Sequence, residues 1–248
     1  MPSRQMNAAL STEETKKLGI PGIGTLHWNL SSRELDRLAL SRGEGKSAAE
    51  GPLVVQTGKY TGRSPDDRFL VREPSSEDKI WWNQTNRPLD PKKFDRLYER
   101  LIASLKGREA FVQEGRVGAD KRFGLSLRVI TEFAWHSLFA RNMFIVPPSS
   151  SHSVERPDLT VLCFPGFHAD PERDGTASEA FITIHFEKRL ILIGGTQYAG
   201  EIKKSVFSFM NYLLPQRGIL PMHCSANIGA GGDTAVFFGL SGTGKTTH

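Results

Sequence analysis

The stretch Gly239-Leu240-Ser241-Gly242-Thr243-Gly244-Lys245-Thr246 constrains this chain more than any other. It matches the phosphate-loop pattern G-x-x-x-x-G-K-[ST], which requires a strand, a tight glycine loop and a helix in that order. The apolar run Thr234–Phe238 leads directly into it and predicts a buried-type strand. The glycines let backbone N–H groups converge on phosphate oxygens without a side-chain clash. In such a loop Lys245 neutralises the β- and γ-phosphates, and the Thr246 hydroxyl faces a magnesium ion. The chain ends at His248, just past this loop.

Upstream of the loop the pattern is that of an α/β protein. Ser31-x-x-Glu34 is a capping box opening a short helix through Leu35, Leu38 and Ala39 that stops near Gly43. Residues 1–25 are polar and punctuated by Gly19, Pro21, Gly22 and Gly24, which predicts a loosely packed lead-in; residues 43–51 read as a loop. A helix is expected over Pro91–Lys106, with Asp90 as N-cap, Pro91 at its first position and Gly107 beyond its end. Its stripe of Phe94, Leu97, Tyr98, Leu101, Ile102 and Leu105 recurs every 3.6 residues and marks a core face. A further helix is expected near Glu132–Ala140. Strands are expected at Leu53–Gln56, Arg68–Arg72, Ala110–Gln113, Leu127–Ile130, Met143–Val146, Leu159–Phe164, Phe181–Phe186 and Leu190–Ile193. Pro147–Ser153 reads as a turn or exposed loop. Gly200–Leu213 reads as a helix whose apolar face carries Ile202, Val206, Phe209, Met210 and Leu213, with Lys204 opposite that face and Lys203 on its flank.

Composition removes several alternatives. The 32 basic and 27 acidic residues nearly balance at +5, and no basic stripe is interleaved with aromatics, so nucleic-acid binding is disfavoured. No apolar run approaches the ~18 residues of a membrane span. The opening MPSRQMNAAL lacks an apolar segment, so no secretory leader is expected. Two cysteines, Cys163 and Cys224, make no disulfide framework and fit a reducing compartment, the cytoplasm.

The individual polar residues have bland readings beside sharp ones. Arg63 lies in a Gly-Ser loop, where its planar guanidinium suits a carboxylate, although such a loop is also an ordinary hairpin tip. Lys203 and Lys204 suit an anion or a solvated helix face. His223, between Met222 and Cys224, is a metal-ligand candidate or a structural histidine.

Taken together, these segments resemble one family. TGKYTGRSPDDRFLV (Thr57–Val71), GGTQYAGEIKKSVFSFMNYLLP (Gly194–Pro215), MHCSANIG (Met222–Gly229) and GLSGTGKTT (Gly239–Thr247) resemble motifs of the ATP-dependent phosphoenolpyruvate carboxykinase family, in that family's order. WWNQTNRPLDPKKFDRLYER (Trp81–Arg100) and RVITEFAWHSLFARNMF (Arg128–Phe144) resemble its N-terminal domain. The similarity runs from about Gly51 onward. GTP-using relatives carry a cysteine within the phosphate loop, and this loop has none.

The resemblance implies an α/β fold, with an N-terminal substrate-binding domain of mixed sheet over residues 1–218 and the start of a mononucleotide-binding domain over 219–248. It implies decarboxylation and phosphorylation of oxaloacetate by ATP to phosphoenolpyruvate, ADP and CO2, with magnesium and manganese ions, in gluconeogenesis. Residue by residue, Arg63 falls on the carboxylate-binding position and Tyr198 on a substrate-contacting tyrosine. Lys204 and His223 fall on two manganese ligands and Lys203 on a neighbouring lysine. Gly239, Leu240, Ser241, Gly242, Thr243, Gly244, Lys245, Thr246 and Thr247 fall on the nucleotide loop. As a metal ligand Lys204 must be neutral, since only then does its nitrogen hold a lone pair. A monomer is expected. The acidic pair and adenine pocket of the family lie beyond the phosphate loop, so the chain reads as a fragment inactive by itself. Two other readings stay open: a different phosphate-loop small-molecule kinase, and a non-catalytic nucleotide-binding short form.

Overall fold

A computed structural model describes residues 7–8, 15–16, 18–146 and 156–240. Residues 1–209 group into one compact unit and 210–248 into a second, and each is described by itself.

The first unit is built on a mixed nine-stranded sheet. Its strands in chain order are β1 (Asn7–Ala8), β2 (Thr25–Trp28), β5 (Arg68–Val71), β6 (Arg87–Leu89), β7 (Glu109–Val117), β8 (Leu125–Thr131), β9 (Leu159–Phe164), β10 (Phe181–His185) and β11 (Leu190–Gly194). They lie side by side as β1-β2-β7-β8-β9-β11-β10-β5-β6. Five neighbouring pairs are parallel (β2/β7, β8/β9, β9/β11, β10/β5, β5/β6) and three antiparallel (β1/β2, β7/β8, β10/β11). A separate hairpin pairs β3 (Gly45–Ser47) with β4 (Leu53–Val55).

Period-two alternation sends neighbouring side chains of β7 to opposite faces. Ala110 and Val112 join the core under α2 (Pro91–Ser104), where Phe94, Leu97, Leu101 and Leu105 are all fully buried. Phe111 points the other way, into a cluster with Leu35 and Ala39 of α1 (Ser32–Ser41) and with Ala134 and Trp135 of α3 (Ala134–Met143). The sheet is therefore covered on both faces, which is why its central strands read as continuous apolar runs.

Local signals set the helix ends. Asp90 accepts hydrogen bonds from the Lys92 and Lys93 amides, and Gly107 adopts the left-handed conformation at φ +72°. At α1 the capping box is closed: the Glu34 amide donates to Ser31 Oγ at 3.3 Å, and the Ser31 amide donates to Glu34 Oε2 at 2.9 Å. Ser31→Ala should cost about 1 kcal/mol, read as a lower urea midpoint with an unchanged slope. An unshifted midpoint would show that packing of Leu35 alone holds this helix.

The structure corrects several expectations. From residue 18 the lead-in is not loose: Ile20 is fully buried, Ile23 joins the same core, and Thr25–Trp28 is a sheet strand. The loop expected over 43–51 contains β3. No strand forms at Met143–Val146; α3 runs through Met143, and Ile145 makes one isolated bridge to Arg116. A short helix, α4 (Pro171–Asp174), and the strand β6 had no counterpart in the sequence reading. Pro147–Ser153 lies outside the described residues.

The helix α5 (Gly200–Leu213) has the bounds expected from its periodicity. In the second unit a 3-10 turn at Pro215–Arg217 precedes an antiparallel ribbon of β12 (Cys224–Ile228) and β13 (Thr234–Phe238). The strand expected at Thr234–Phe238 is present, with a partner strand the sequence reading lacked. Its buried-type character is not: Val236, Phe237 and Phe238 are exposed, because a two-stranded ribbon has no layer of its own to cover them. Gly239 and Leu240 follow it; Ser241–Thr247 lie outside the described residues.

Candidate functional site

In the first unit a cavity of about 390 Å³ is lined by Val55, Thr57, Arg63, Trp135, Phe139, Tyr198, Ala199, Gly200, Lys203 and Lys204. It brings together four residues expected from sequence, Arg63, Tyr198, Lys203 and Lys204, from two stretches far apart in the chain. The loop after β4 supplies Arg63. The turn after β11 supplies Tyr198, and the first residues of α5 supply both lysines.

Sheet order explains the meeting. β5, which follows the Arg63 loop, lies beside β10, and β10 lies beside β11, which leads into Tyr198 and α5. Arg68 at the start of β5 strengthens the link, donating from Nη1 to Ser208 Oγ of α5 at 3.2 Å. The turn out of β11 needs two glycines. Gly195 sits at φ +67°, and a Cβ there would lie 2.5 Å from the Glu179 carbonyl oxygen.

The electrostatics favour an anion. Lys203 and Lys204 stand at the N-terminal end of α5, where the helix dipole is already positive, so they cost stability unless a negative group shares the site. Their ammonium groups lie 5.8 and 5.7 Å from the centroid of the Phe207 ring, off the buried face formed by Ile202, Val206 and Phe209. Arg63 is exposed and makes no hydrogen bond or ion pair with any described residue. Its charge is felt by Arg68, which burial first and Arg63 second hold below the usual guanidinium range. Trp135, Phe139 and Val55 wall the same cavity with apolar surface, where charge–charge attraction is stronger than in water.

Sequence reasoning did not single out these wall residues, nor two buried supports. Glu201 is 2% exposed, and its Oε1 accepts a hydrogen bond from the Ser64 amide at 2.8 Å. His136 is fully buried under the Tyr198 turn. Its Nε2 donates to the Gln197 carbonyl at 2.8 Å, while Cys163 Sγ lies 3.7 Å from Nδ1. Burial pushes His136 down to about 4 and pushes the Cys163 thiol up, so His136 is neutral near pH 7 and Cys163 is no nucleophile. The signal for Glu201 was its place in the first turn beside both lysines; for His136 it was the aromatic run around Trp135.

A larger cavity of about 590 Å³ lies on the hairpin side of Trp135 and includes Arg42, Glu44, Lys46 and Gln197. Its guanidinium is already paired: Arg42 Nε lies 2.7 Å from Glu44, and Nη1 contacts Glu109. The smaller cavity is the one that gathers Arg63 and the two lysines.

The donor set also bears on a divalent metal. The lining of the smaller cavity offers nitrogen donors and a phenol but no carboxylate, and no group of three or more His, Cys, Asp or Glu side chains poised for a metal occurs among the described residues. Glu201, the nearest acid in sequence, is committed to Ser64. Taken by themselves these residues suit an anion, and a cation would need donors from outside the cavity. Of the expected ligands, Lys204 lines this cavity, His223 belongs to the second unit, and Thr246 lies outside the described residues.

Fold and cavity together define an α/β protein with an aromatic-walled pocket that gathers one arginine and two lysines. The sequence profile of phosphoenolpyruvate carboxykinase matches residues 24–248, and the chain belongs to that family. It is 54% identical over 230 residues to phosphoenolpyruvate carboxykinase (ATP) 2 of Moorella thermoacetica, covering 93% of this chain and 44% of that protein. The ATP enzyme of Thermus thermophilus is 54% identical over 239 residues, covering 95% and 45%. That of Bacillus pumilus is 56% identical over 222 residues, covering 89% and 42%. The chain thus spans less than half the length of these curated relatives.

Proposed function

We propose that this chain carries the substrate-side pocket of an ATP-dependent phosphoenolpyruvate carboxykinase, a carboxy-lyase of gluconeogenesis. The observation that supports this most is the convergence of Arg63, Tyr198, Lys203 and Lys204 on one cavity. In the proposed reaction the C–C bond to one carboxylate of oxaloacetate breaks, CO2 leaves, and the electron pair stays behind as an enolate. The enolate oxygen then bonds to the γ-phosphorus of ATP as the P–O bond to ADP breaks.

The charged and aromatic cavity residues have work in that scheme. The Arg63 guanidinium holds the retained carboxylate through paired N–H donors. Lys203 faces the negative charge that grows on the enolate and the moving phosphoryl group. Tyr198, Trp135 and Phe139 exclude water that would otherwise protonate the enolate. A divalent ion supplies charge neutralisation to the phosphoryl group when bound. Within this cavity Lys204, in its neutral form, would be a donor to it; in the second unit the phosphate loop from Gly239 to Thr247 would hold the nucleotide. The two free thiols, Cys163 and Cys224, support a reducing, cytoplasmic setting.

Oxalate, a planar dianion of the size of the enolate, tests the pocket by calorimetric titration of the 248-residue chain. Binding is expected, and Arg63→Gln should weaken it at least tenfold, since hydrogen bonds to charged groups are worth about 1.5–3 kcal/mol. No oxalate binding, or equal affinity in the Arg63 variant, would remove the pocket from this role.

A further inference from the structure

We infer that Glu201 is a positioning residue for the anion pocket: its buried carboxylate holds the Arg63 loop against the helix that carries Lys203 and Lys204. The inference rests on the reading of the cavity given above.

Arg63 has no partner of its own among the described residues, so its place is set by the backbone on either side of it. On one side that backbone is the run Thr57–Gly62, with Gly58 in the left-handed region at φ +65° and tied to the segment before β10 by the Tyr60 hydroxyl, 3.4 Å from Ser178 Oγ. On the other side is Ser64, whose amide donates to Glu201 Oε1 at 2.8 Å. The side chain of Ser64 is held as well. Its Oγ donates to Asp67, whose Oδ1 accepts from Ser178 Oγ at 2.8 Å. Ser64 is thus fixed from two directions. Asp67 ties it to the segment before β10, and Glu201 ties it to α5.

Of the two ties on Ser64, the second bears directly on the distance between Arg63 and the lysines, because Glu201 sits two and three residues before them on the helix that Arg68 also reaches through Ser208. A carboxylate beside an anion pocket is otherwise a poor choice. Its charge opposes the ligand, and its own burial is costly unless it is hydrogen-bonded. The amide of Ser64 and the nearby charge of Arg68 meet that requirement.

The two roles open to Glu201 have opposite signs. As a background charge, its removal tightens anion binding. As a positioning group, its removal loosens binding while the isosteric amide preserves it, since the Gln side-chain oxygen still accepts from Ser64. Oxalate titration of the 248-residue chain separates them. Glu201→Met, which keeps volume and helix propensity, should weaken oxalate about tenfold. Glu201→Gln should stay within about threefold of the parent. Adding Glu201→Met to Arg63→Gln should produce no further loss, because the group being positioned is already gone. Thermal melts check that each variant is folded; if Glu201→Met melts early, the comparison of Glu201→Gln with the parent and the double variant with Gln at 201 are read instead. Unchanged or tighter binding in Glu201→Met, or a tenfold loss in Glu201→Gln, overturns the inference while leaving the pocket intact. Failure of the Arg63→Gln variant alone to weaken oxalate overturns the pocket reading first.

Discussion

Gly195→Ala should destabilise the unit spanning residues 1–209 by about 3 kcal/mol, the sum of a left-handed backbone penalty and a steric clash each of about 1–2 kcal/mol. The position follows β11 directly and turns the chain toward Tyr198. At φ +67°, an added Cβ would stand 2.5 Å from the Glu179 carbonyl oxygen and 2.6 Å from the Ala180 Cα. Both are backbone atoms of the segment entering β10, the neighbouring strand of the sheet, and they cannot rotate aside. Strain alone is tolerated in this chain, since Asn29 and Arg189 hold positive φ values of 49° and 51° without being glycine. Gly58 supplies the control. Its φ is +65°, yet the nearest atom to an added Cβ is Gln197 Nε2 at 4.0 Å. Gly58→Ala should therefore cost only about 1 kcal/mol. Urea unfolding of both variants measures the difference, and equal midpoints would show that the contact with Glu179 is relieved at little cost. The Gly195 variant should also lose oxalate affinity, because Thr196 Oγ1 accepts from the Tyr198 amide and carries any shift of the turn into the pocket.

What was legible in the sequence was local. α2 was read from Asp90, Pro91 and a stripe whose buried members, Phe94, Leu97, Leu101 and Leu105, now form one side of the core. The central strands β9, β10 and β11 showed as apolar runs because both of their faces are covered. β2 was hidden by the glycines and proline just before it. β6 was hidden by Pro88, which an edge strand accepts because its outward N–H has no ladder partner to lose. Met143–Val146 misled because a short apolar run fits a helix end as well as a strand.

The order of the strands had no signature at all, and that order makes the pocket. Nothing in the sequence pattern puts β5 beside β10, the pairing that brings Arg63 to Tyr198 and the lysines. The resemblance grouped these residues, while their residue types alone allowed a hairpin tip and a solvated helix face. The supports beneath them, Glu201 and His136, stayed invisible because a buried acid and a buried histidine look like surface residues until their partners are known.

Acidification should unfold the first unit through His136, with a loss of about 3 kcal/mol between pH 6.5 and 4 at about 1.4 kcal/mol per pH unit. In the folded chain His136 titrates at about 4, against an ordinary value of 6.5, because burial disfavours its charged form. The unfolded chain therefore binds the proton first. The stabilisation is complete above pH 6.5 and disappears as the pH falls toward 4. A second buried histidine, His185, is also pushed to about 4, by burial and then by Lys188. Its Nδ1 lies 2.5 Å from Glu73 Oε2, and burial raises Glu73 above the usual carboxylate range. The raised acid and the lowered imidazole shift the proton balance in opposite directions, so the pair offsets part of its own acid sensitivity. His136 has no such compensation: its ring meets the Gln197 carbonyl, the Cys163 thiol and the rings of Phe133 and Trp135. His136→Gln keeps a donor for the Gln197 carbonyl and removes the titration. Urea midpoints measured at pH 7 and pH 4.5 should converge in that variant and diverge in the parent. A variant whose midpoint still falls as steeply would place the acid sensitivity elsewhere, first in the Glu73–His185 pair.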